Sequence, residues 1–332
     1  MEEWGELASG ETVERVTISG GGLTAKIITR GAAIQDLRLE GHDAPLVLGF
    51  ERLRDYEFHS PYFGATVGRF ANRIAGGHFV LNGVGYHVDK NDHGHCLHGG
   101  RKGFSERLWT IEDAGESHVV MRIESADGDM GFPGHLIARC RYEVADRGEL
   151  RVILTAEADA PTVCSMAHHS YFNLENGGAG PVTGHELMIA ADSYLPVDNT
   201  LIPVGPPQPV AGTKFDFREM KPITASDPAA AYDHNFCLGG NGRVREVAQL
   251  WSPRTSVLMK VLTTEPGLQL FTAPGMAMTV PGLGGRRYGH HAGLCLEAQA
   301  WPDAPNRPDY PSATLNPGEV QAQRTIYIFS KA

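Results

Sequence analysis

Alternation of apolar and polar residues with a period of two is the feature that most constrains the fold of this chain. Segments 136–145 and 149–157 both show it. The first segment places five apolar side chains on one face: Leu136, Ala138, Cys140, Tyr142 and Val144. A short link that ends in Gly148 joins the two segments, so the pattern predicts a β-hairpin.

Further segments repeat this pattern along the whole chain. A second hairpin is predicted at 78–88, because Asn82-Gly83 suits a tight turn with positive φ. Other predicted strands lie at 14–19, 23–29, 33–39, 118–125, 186–191, 256–263, 267–272, 293–300 and 323–329. Only 50–56 and 104–109 favour short helices, while 40 glycines and 21 prolines supply frequent turns.

Many short strands without crossover helices predict an all-β fold, a large antiparallel β-sandwich with few short helices. Sandwiches of this kind run long, so we expect residues 1–332 to form a single domain. The proline-rich stretch 201–230 also carries Phe215 and Phe217, which indicates a long ordered loop rather than a linker.

Composition excludes several classes of protein. The net charge of −10 argues against nucleic-acid partners, which prefer basic surfaces. No apolar run approaches the ~18 residues of a membrane span, and the acidic start Met-Glu-Glu is unlike a secretory signal. Five widely spaced cysteines form no C-x-x-C pair, so we expect free thiols and a cytoplasmic location. Phosphate-binding glycine loops and the G-x-S-x-G elbow are also absent from the sequence.

The segment Gly-Arg-Phe-Ala-Asn-Arg-Ile at 68–74 is the first candidate for chemistry. Asn72 and Arg73 offer several rigidly placed donors to a hydroxyl-bearing ligand. A structural arginine beside a turn asparagine explains the same spacing, and from spacing alone it is the more common case.

A histidine-rich segment at 91–100 is the second candidate. His93, His95 and His98 with Cys96 suggest a metal site, although no fourth ligand is implied elsewhere. Alternatively, the Gly-Gly that follows His98 allows this histidine to project into a cleft.

Two further segments carry groups suited to proton transfer. In 163–171, His169 shares a face with Tyr171, and histidine titrates near neutral pH. In 293–301, Glu297 lies mid-strand with aliphatic neighbours, so desolvation is expected to raise its pKa. Alternatively, His169 is a buried histidine whose hydrogen bonds are all made within the core, and Glu297 lies on a strand face that is exposed to solvent. Asp233, in Tyr-Asp-His-Asn-Phe, is either a hydroxyl acceptor or a turn residue.

Taken together and in order, these motifs resemble the aldose 1-epimerase (galactose mutarotase) family from about residue 10 to residue 330. The matching segments are Gly-Arg-Phe-Ala-Asn-Arg-Ile at 68–74, Leu-His-Gly-Gly at 97–100, His-Ser-Tyr-Phe-Asn-Leu at 169–174, Asp-His-Asn-Phe at 233–236, Glu-Pro-Gly-Leu-Gln at 265–269, Leu-Glu-Ala-Gln at 296–299 with Trp-Pro-Asp-Ala-Pro-Asn at 301–306, and Leu-Asn-Pro-Gly-Glu at 315–319.

The resemblance implies a role for each matched residue. Glu297 would be the general base and His169 the general acid, with His98 assisting at the ring oxygen. The residues that would hold sugar hydroxyls are Asn72, Arg73, Asp233 and Gln269. The family fold, a large antiparallel β-sandwich, agrees with the period-two pattern. No cofactor and no metal are implied, and the expected partner is a small sugar bound by a monomer or homodimer.

Two positions depart from the family pattern. His168 stands where the family carries asparagine, which is expected to alter a hydrogen bond behind the site. Trp301 replaces a smaller residue and is expected to change the surface under the sugar. The alternative functions are a non-catalytic sugar-binding protein or sensor and a glycoside hydrolase or lyase. A sensor does not need both Glu297 and His169, and a glycosidase normally needs two flanking carboxylates.

Overall fold

A computed structural model describes residues 1–223, 231–240 and 242–331. Within these ranges the strands are β1 (Glu2–Glu6), β2 (Thr12–Gly20), β3 (Leu23–Ile28), β4 (Ala33–Leu39), β5 (Ala65–Val67), β6 (Arg73–Ile74), β7 (His78–Leu81), β8 (Val84–His87), β9 (Cys96–Leu97), β10 (Thr110–Ala114), β11 (His118–Ser125), β12 (Leu136–Ala145), β13 (Glu149–Ala158), β14 (Thr162–Val163), β15 (Ala167–His169), β16 (Glu186–Ile189), β17 (Ser193–Tyr194), β18 (Gln208–Pro209), β19 (Lys221–Pro222), β20 (Asp233–Cys237), β21 (Arg245–Ser252), β22 (Val257–Thr263), β23 (Gly267–Phe271), β24 (Cys295–Gln299), β25 (Thr314–Leu315) and β26 (Gln321–Lys331).

Helices are short throughout the described ranges. The one α-helix there, α1, is Leu53–His59, so the helix predicted at 50–56 begins three residues later than expected. The other predicted helix, at 104–109, is a single 3₁₀ turn. The 3₁₀ turns are Ala75–Gly77, Phe104–Glu106, Asp129–Gly131, Asp146–Gly148, Val182–Gly184, Leu283–Gly285 and Ala304–Asn306. None of the helices in the described ranges combines the length and the hydropathy that a membrane-spanning segment requires.

Three antiparallel sheets dominate the architecture. The largest has nine strands in the order β10-β11-β12-β13-β26-β22-β21-β16-β19. A five-stranded sheet runs β18-β17-β20-β23-β24, and a four-stranded sheet runs β1-β2-β3-β4. Four two-stranded ladders complete the arrangement: β5 with β15, β6 with β9, β7 with β8 and β14 with β25. The predicted all-β sandwich is confirmed.

Both predicted hairpins form. In β12, buried residues alternate with half-buried ones along the whole strand, and Tyr142 pairs with Val152 of β13. The second hairpin turns at Asn82 and Gly83, whose φ angles are +51° and +80°. This is the left-handed pair that a two-residue turn between twisted strands requires.

One continuous core holds the three sheets together. It contains the inward side chains of β12 and β13 with those of β22 and β26, and also Phe236, Leu268, Leu270 and Leu296 from the five-stranded sheet. Burial of such side chains stabilises the fold by about 1.5–3 kcal/mol each. One face of the five-stranded sheet is therefore committed to the core.

The stretch predicted as an ordered loop at 201–230 is described as far as residue 223. It contains the short strands β18 and β19, and Phe215 and Phe217 are both buried in the main core. Residues 224–230 of that prediction lie outside the described residues. Within residues 201–223 the stretch therefore packs on the core, as expected of an ordered loop and not of a linker.

Candidate active site

The outer face of the five-stranded sheet forms the floor of a cleft. Gln269 of β23 stands opposite both Asn235 of β20 and Glu297 of β24 in the strand register. Residues opposite one another in antiparallel strands point to the same side. Because Leu268, Leu270 and Leu296 point into the core, the polar residues between them must face the cleft. Asp233 joins this face two residues before Asn235.

The facing wall of the cleft comes from two short ladders. β15 ends at His169, which pairs with Ala65 of β5. β6 begins at Arg73 and pairs with β9, which ends one residue before His98. Gly99 makes this turn possible, since an added Cβ there would lie 2.1 Å from the carbonyl oxygen of Gly68.

These elements enclose a cavity of about 200 Å³. Six of the seven predicted site residues line it: Asn72, Arg73, His98, His169, Asp233 and Glu297. The seventh, Gln269, lies directly behind, where its Nε2 donates to Oδ1 of Asp233 at 2.5 Å. A larger hollow of about 430 Å³ near Tyr310 has no carboxylate or imidazole in its lining. The sequence clusters thus converge on the smaller cavity.

His169 and Glu297 form the chemically distinctive pair in this cavity. Nε2 of His169 lies 3.6 Å from Oε2 of Glu297, and both side chains are nearly inaccessible to solvent. Burial raises the pKa of Glu297 well above its ordinary value, and Asp233 adds to the rise while Arg73 opposes it. Burial also lowers the pKa of His169, to about 4. Opposed shifts of an acid and a base in one cavity are typical of catalytic sites.

His98 is held as a hydrogen-bond donor towards the cavity. Its Nδ1 accepts the backbone N–H of Asn72 at 3.1 Å, while its own backbone N–H donates to the carbonyl of Asn72 at 3.0 Å. Burial, with smaller contributions from His169 and Arg73, keeps the pKa of His98 well below its ordinary value. A neutral imidazole whose Nδ1 accepts carries its proton on Nε2. His98 therefore offers an N–H to a ligand.

The two arginines of segment 68–74 have different roles. Arg69 is fully buried, and its guanidinium donates to the carbonyls of Pro133, Gly134 and Ser125. It is thus structural. Arg73 lines the cavity, and its Nε donates to Oδ2 of Asp92 at 2.8 Å. The structural interpretation therefore applies to Arg69, while the ligand-binding role of Arg73 stays a prediction.

Four residues of the site were not among the predicted site residues. Asp92 fixes Arg73, and Cys295 places its Sγ 3.5 Å from Nδ1 of His169. Tyr62 stacks on His169 at 5.5 Å between ring centroids and meets His98 edge-on at 4.7 Å. Tyr171 stacks on His169 at 5.1 Å. The period-two pattern had placed Tyr171 beside His169, but no sequence signal marked Tyr62.

The three histidines of segment 91–100 do not come together in the structure. His93 is exposed, and His95 accepts the N–H of Gly76 through Nδ1 and pairs with Thr200 through Nε2. Among the described residues, the group whose donor atoms could surround an ion is His98, His169 and Glu297, within 4.8 Å of one another. However, Nδ1 of His98 already accepts a hydrogen bond and its Nε2 carries a proton, so neither nitrogen offers a free lone pair.

The two departures from the family pattern lie away from the cavity. Nδ1 of His168 pairs with the hydroxyl of Tyr142 at 3.2 Å on the core side of β15, so this position does carry a hydrogen bond behind the site. Trp301 packs edge-on against Tyr310 and donates through Nε1 to the carbonyl of Pro266. It is not among the residues that line the cavity, so the prediction that it shapes the surface under the sugar is wrong.

An antiparallel β-sandwich in which a buried carboxylate faces an imidazole is the arrangement expected of an enzyme that works by acid–base chemistry. Comparison with known proteins agrees. The sequence profile of the family described as aldose 1-epimerase matches residues 14–327. The galactose mutarotase of Mus musculus is 41% identical over 338 residues, covering 99% of this chain and 98% of the relative. The aldose 1-epimerase of Escherichia coli K12 is 35% identical over 322 residues, which cover 93% of this chain and 92% of the relative.

Solved structures give the same result. An aldose epimerase homologue from C. elegans superposes with a TM-score of 0.89 at 28% identity, covering 96% of this chain and 99% of the other. A galactose 1-epimerase from Lactobacillus acidophilus gives a TM-score of 0.85 at 26% identity, covering 100% and 98%. The chain therefore belongs to the aldose 1-epimerase family and is an enzyme of the isomerase class. The predicted family and activity are confirmed.

Proposed function

We propose that this enzyme interconverts the α and β anomers of a free aldose with Glu297 as the base and His169 as the acid. The observation that carries the assignment is the 3.6 Å approach of the two side chains within one buried cavity. A cyclic aldose carries its C1 hydroxyl and its ring oxygen on the same carbon atom. Two proton-transferring groups so close together can therefore serve both oxygens of one bound sugar.

The reaction needs two proton movements. Glu297 takes the proton of the C1 hydroxyl while His169 gives one to the ring oxygen, and the ring opens to the aldehyde. Rotation about the C1–C2 bond then presents the other carbonyl face. Closure returns both protons, with the roles of the two groups exchanged. Positioned acid–base groups contribute about 10²–10⁴-fold each, and retention of the open chain near its cyclic shape adds an orientation effect.

The pKa shifts define the protonation state of the pair. The raised pKa of Glu297 favours its neutral carboxyl form, and the pKa of His169, lowered to about 4, favours a neutral imidazole beside it. The reactive form, carboxylate and imidazolium, has the same net charge. Hydrogen bonds from sugar hydroxyls favour an ionised carboxylate, so the bound substrate promotes the reactive form without uptake of a proton.

The remaining predicted residues supply the contacts that orient the sugar. Asn72 and Arg73 offer donors from the wall, and Asp233, held by Gln269, offers an acceptor from the floor. The Nε2–H of His98 points to the side where the ring oxygen must lie if His169 is to protonate it. A glycosidase normally needs two carboxylates that flank the scissile bond, whereas here the group that faces Glu297 is the imidazole of His169.

Polarimetry on freshly dissolved α-galactose or α-glucose tests the assignment. We expect Glu297→Gln and His169→Asn each to lower kcat by about 10²–10⁴-fold with an unchanged thermal midpoint. Glu246→Gln and His93→Asn, at surface positions outside the cavity, serve as matched controls that retain activity. Full activity of either cavity variant would remove that residue from the mechanism.

We further propose that galactose and glucose are substrates, that the enzyme is cytoplasmic, and that a single domain acts as a monomer or homodimer. The cytoplasmic location is supported by the five cysteines, which are all buried and free. Progress curves for galactose, glucose, arabinose and xylose rank the substrates, and sedimentation of the full chain gives its oligomeric state.

A further inference from the structure

The segment Trp-Pro-Asp-Ala-Pro-Asn at 301–306 matches the family, but the mechanism above gives it no role. It follows closely on β24, the strand that carries Glu297. Within it, Asp303 is 1% exposed and precedes the 3₁₀ turn Ala304–Asn306 with a φ of +61°. Aspartate adopts this left-handed conformation more readily than most residues. The segment thus places a buried carboxylate six residues along the chain from the proposed base.

Asp303 contacts the segment that carries Arg73 at two points. Its backbone N–H donates to the carbonyl of Arg73 at 2.8 Å, and its Oδ1 accepts the backbone N–H of Ala75 at 2.9 Å. Successive residues of a strand direct their main-chain groups to alternate edges. Asn72 faces β9, because its carbonyl accepts the N–H of His98. Arg73 and Ala75 therefore present the opposite edge of this segment to Asp303, so the segment is held on both sides.

The carboxylate of Asp303 is itself held by two side chains that follow it in the sequence. Nδ2 of Asn306 donates to Oδ1 at 2.8 Å, and Nε of Arg307 donates to Oδ2 at 3.1 Å. Such charge-assisted hydrogen bonds offset the cost of burying a carboxylate. The side chain of Asp303 is 2% exposed, whereas that of Arg307 is 29% exposed. Oδ1 therefore faces Ala75 from a fixed position inside the protein.

We propose that Asp303 is a positioning residue that sets Arg73, on the wall of the cavity, against Glu297 on its floor. Glu297 and Asp303 belong to one continuous run of chain. The hydrogen bond from Ala75 to Oδ1, here called the Asp303 clamp, therefore fixes the main chain of Arg73 relative to the strand that carries the base. This inference rests on the proposed roles of Glu297 as the base and Arg73 as a residue that binds the sugar.

The position of Arg73 also affects the pKa of Glu297. Arg73 is a nearby cation that lowers this pKa, against the rise caused by burial and by Asp233. The other titratable groups around Glu297 are His98, His169, Tyr171, Cys295 and Tyr327. Displacement of the guanidinium alone would raise the pKa of Glu297 further. Activity ends at high pH where the pair of Glu297 and His169 loses its shared proton, so this limit would move to higher pH.

Two substitutions of Asp303 test the proposal in the full-length enzyme, by polarimetry with α-galactose. Asp303→Gly removes the carboxylate and suits a φ of +61°. We expect KM to rise about tenfold with a smaller change in kcat, and the alkaline limit of activity to move to higher pH. Asp303→Asn removes the same charge but keeps an oxygen for Ala75, so its KM should stay within about twofold of the wild type.

Arg307→Gln separates the ion pair from the clamp. It removes the hydrogen bond to Oδ2 and leaves Oδ1 in contact with Ala75 and Asn306. We expect its KM to stay within about twofold of the wild type, because the ion pair reaches the surface and exposed pairs contribute little. A KM as high as that of Asp303→Gly would assign the effect to the ion pair and overturn the role of the clamp.

A double-mutant cycle separates positioning from a general loss of structure. In Arg73→Ala the guanidinium is absent, so the further substitution Asp303→Gly has nothing left to displace. We expect KM of the double variant to equal that of Arg73→Ala, although Asp303→Gly alone raises KM. Effects on KM that add would give Asp303 a structural role only and would overturn the proposal.

The Asp303 variants decide the remaining outcomes. A wild-type KM and an unchanged alkaline limit in Asp303→Gly would overturn the proposal, as would equal rises in KM for the Gly and Asn variants. Should Asp303→Gly fail to fold, a tenfold rise in KM for Asp303→Asn would still overturn it. Failure of the proposed function has a separate signature, because Glu297→Gln would then stay active, or Arg73→Ala would keep the wild-type KM, whatever the Asp303 variants show.

Discussion

Glu297 and His169 come within 3.6 Å of each other, although 127 residues lie between them in the sequence and the two residues belong to different sheets. Glu297 is fixed by the five-stranded sheet, and His169 by its pairing with β5. Neither side chain can withdraw without disturbing the core behind it. The pKa of Glu297 is raised and that of His169 is lowered to about 4, so between these two pKa values the pair holds a single proton.

The pH profile of kcat/KM follows from that shared proton. Below the pKa of His169, about 4, both groups are protonated and no base remains. Above the raised pKa of Glu297, the carboxylate faces a neutral imidazole and no charged acid remains. We expect a bell-shaped profile whose alkaline limb lies well above the ordinary pKa of glutamate.

Polarimetry at constant ionic strength, corrected for the uncatalysed rate, measures the acid and alkaline limbs of the pH profile. Asp233→Asn removes a charge that raises the pKa of Glu297, so the alkaline limb should move to lower pH. An alkaline limb near the ordinary pKa of glutamate, or one that Asp233→Asn leaves in place, would contradict this account of the pair.

Asp92 should affect substrate binding more than chemistry. Its carboxylate accepts Nε–H of Arg73 at 2.8 Å at the edge of the cavity. In Asp92→Ala the guanidinium loses its fixed orientation, so KM should rise about tenfold while kcat changes little. Asp113→Ala removes an exposed carboxylate outside the cavity and is the control. A fall in kcat at constant KM would assign Arg73 to the transition state instead.

Tyr62 should contribute through its ring and not through its hydroxyl. The ring contacts both His98 and His169, and the pKa of the phenol is raised to about 12 by burial, with smaller contributions from Glu106 and Asp92. The hydroxyl therefore does not titrate in the working range. Tyr62→Phe should keep kcat within about twofold, whereas Tyr62→Leu should lower it several-fold by loosening both imidazoles. Equal rates for the Phe and Leu variants would show that the contacts of the Tyr62 ring with His98 and His169 do not support catalysis.

Chelators should leave the activity unchanged. Although His98, His169 and Glu297 bring three donor atoms within 4.8 Å, Nδ1 of His98 is engaged with the backbone of Asn72. Dialysis of the enzyme against a strong chelator, followed by polarimetry, measures the effect. Loss of activity that returns with an added divalent cation would show that the three residues hold a metal.

The fold was predictable because strand periodicity is a local property of the sequence. The alternation in 136–145 predicted β12, and Asn82-Gly83 predicted the hairpin of β7 and β8, since turns of that kind admit few residues. Strand β21 was missed because its Val247-Ala248 pair sits at a break in the register and blurs the alternation. The position of helix α1 was predicted three residues too early because few apolar residues mark so short an element.

The site was predictable only in part, because it is assembled from segments far apart in the chain. Motifs identified Glu297 and His169, but the contact of Cys295 with His169 depends on how two sheets meet. Tyr62 belongs to no motif, and it reaches the cavity through a backbone with φ of +68°. Residues of this kind belong to the site because the folded chain brings them to the cavity, and the periodicity of the sequence does not encode that position.

Arg69 offers a test of how the site is supported. Its guanidinium lies in a fully buried pocket of carbonyl groups from 125–134, which ties the segment that carries Asn72 and Arg73 to the nine-stranded sheet. Arg69→Met keeps much of the volume but leaves several buried carbonyls without donors, each at a cost of about 1–3 kcal/mol. We expect the free energy of unfolding in urea to fall by about 3 kcal/mol or more. Arg122→Met, on the exposed face of β11, should cost less than about 1 kcal/mol. Similar losses for the two variants would contradict a structural role for Arg69.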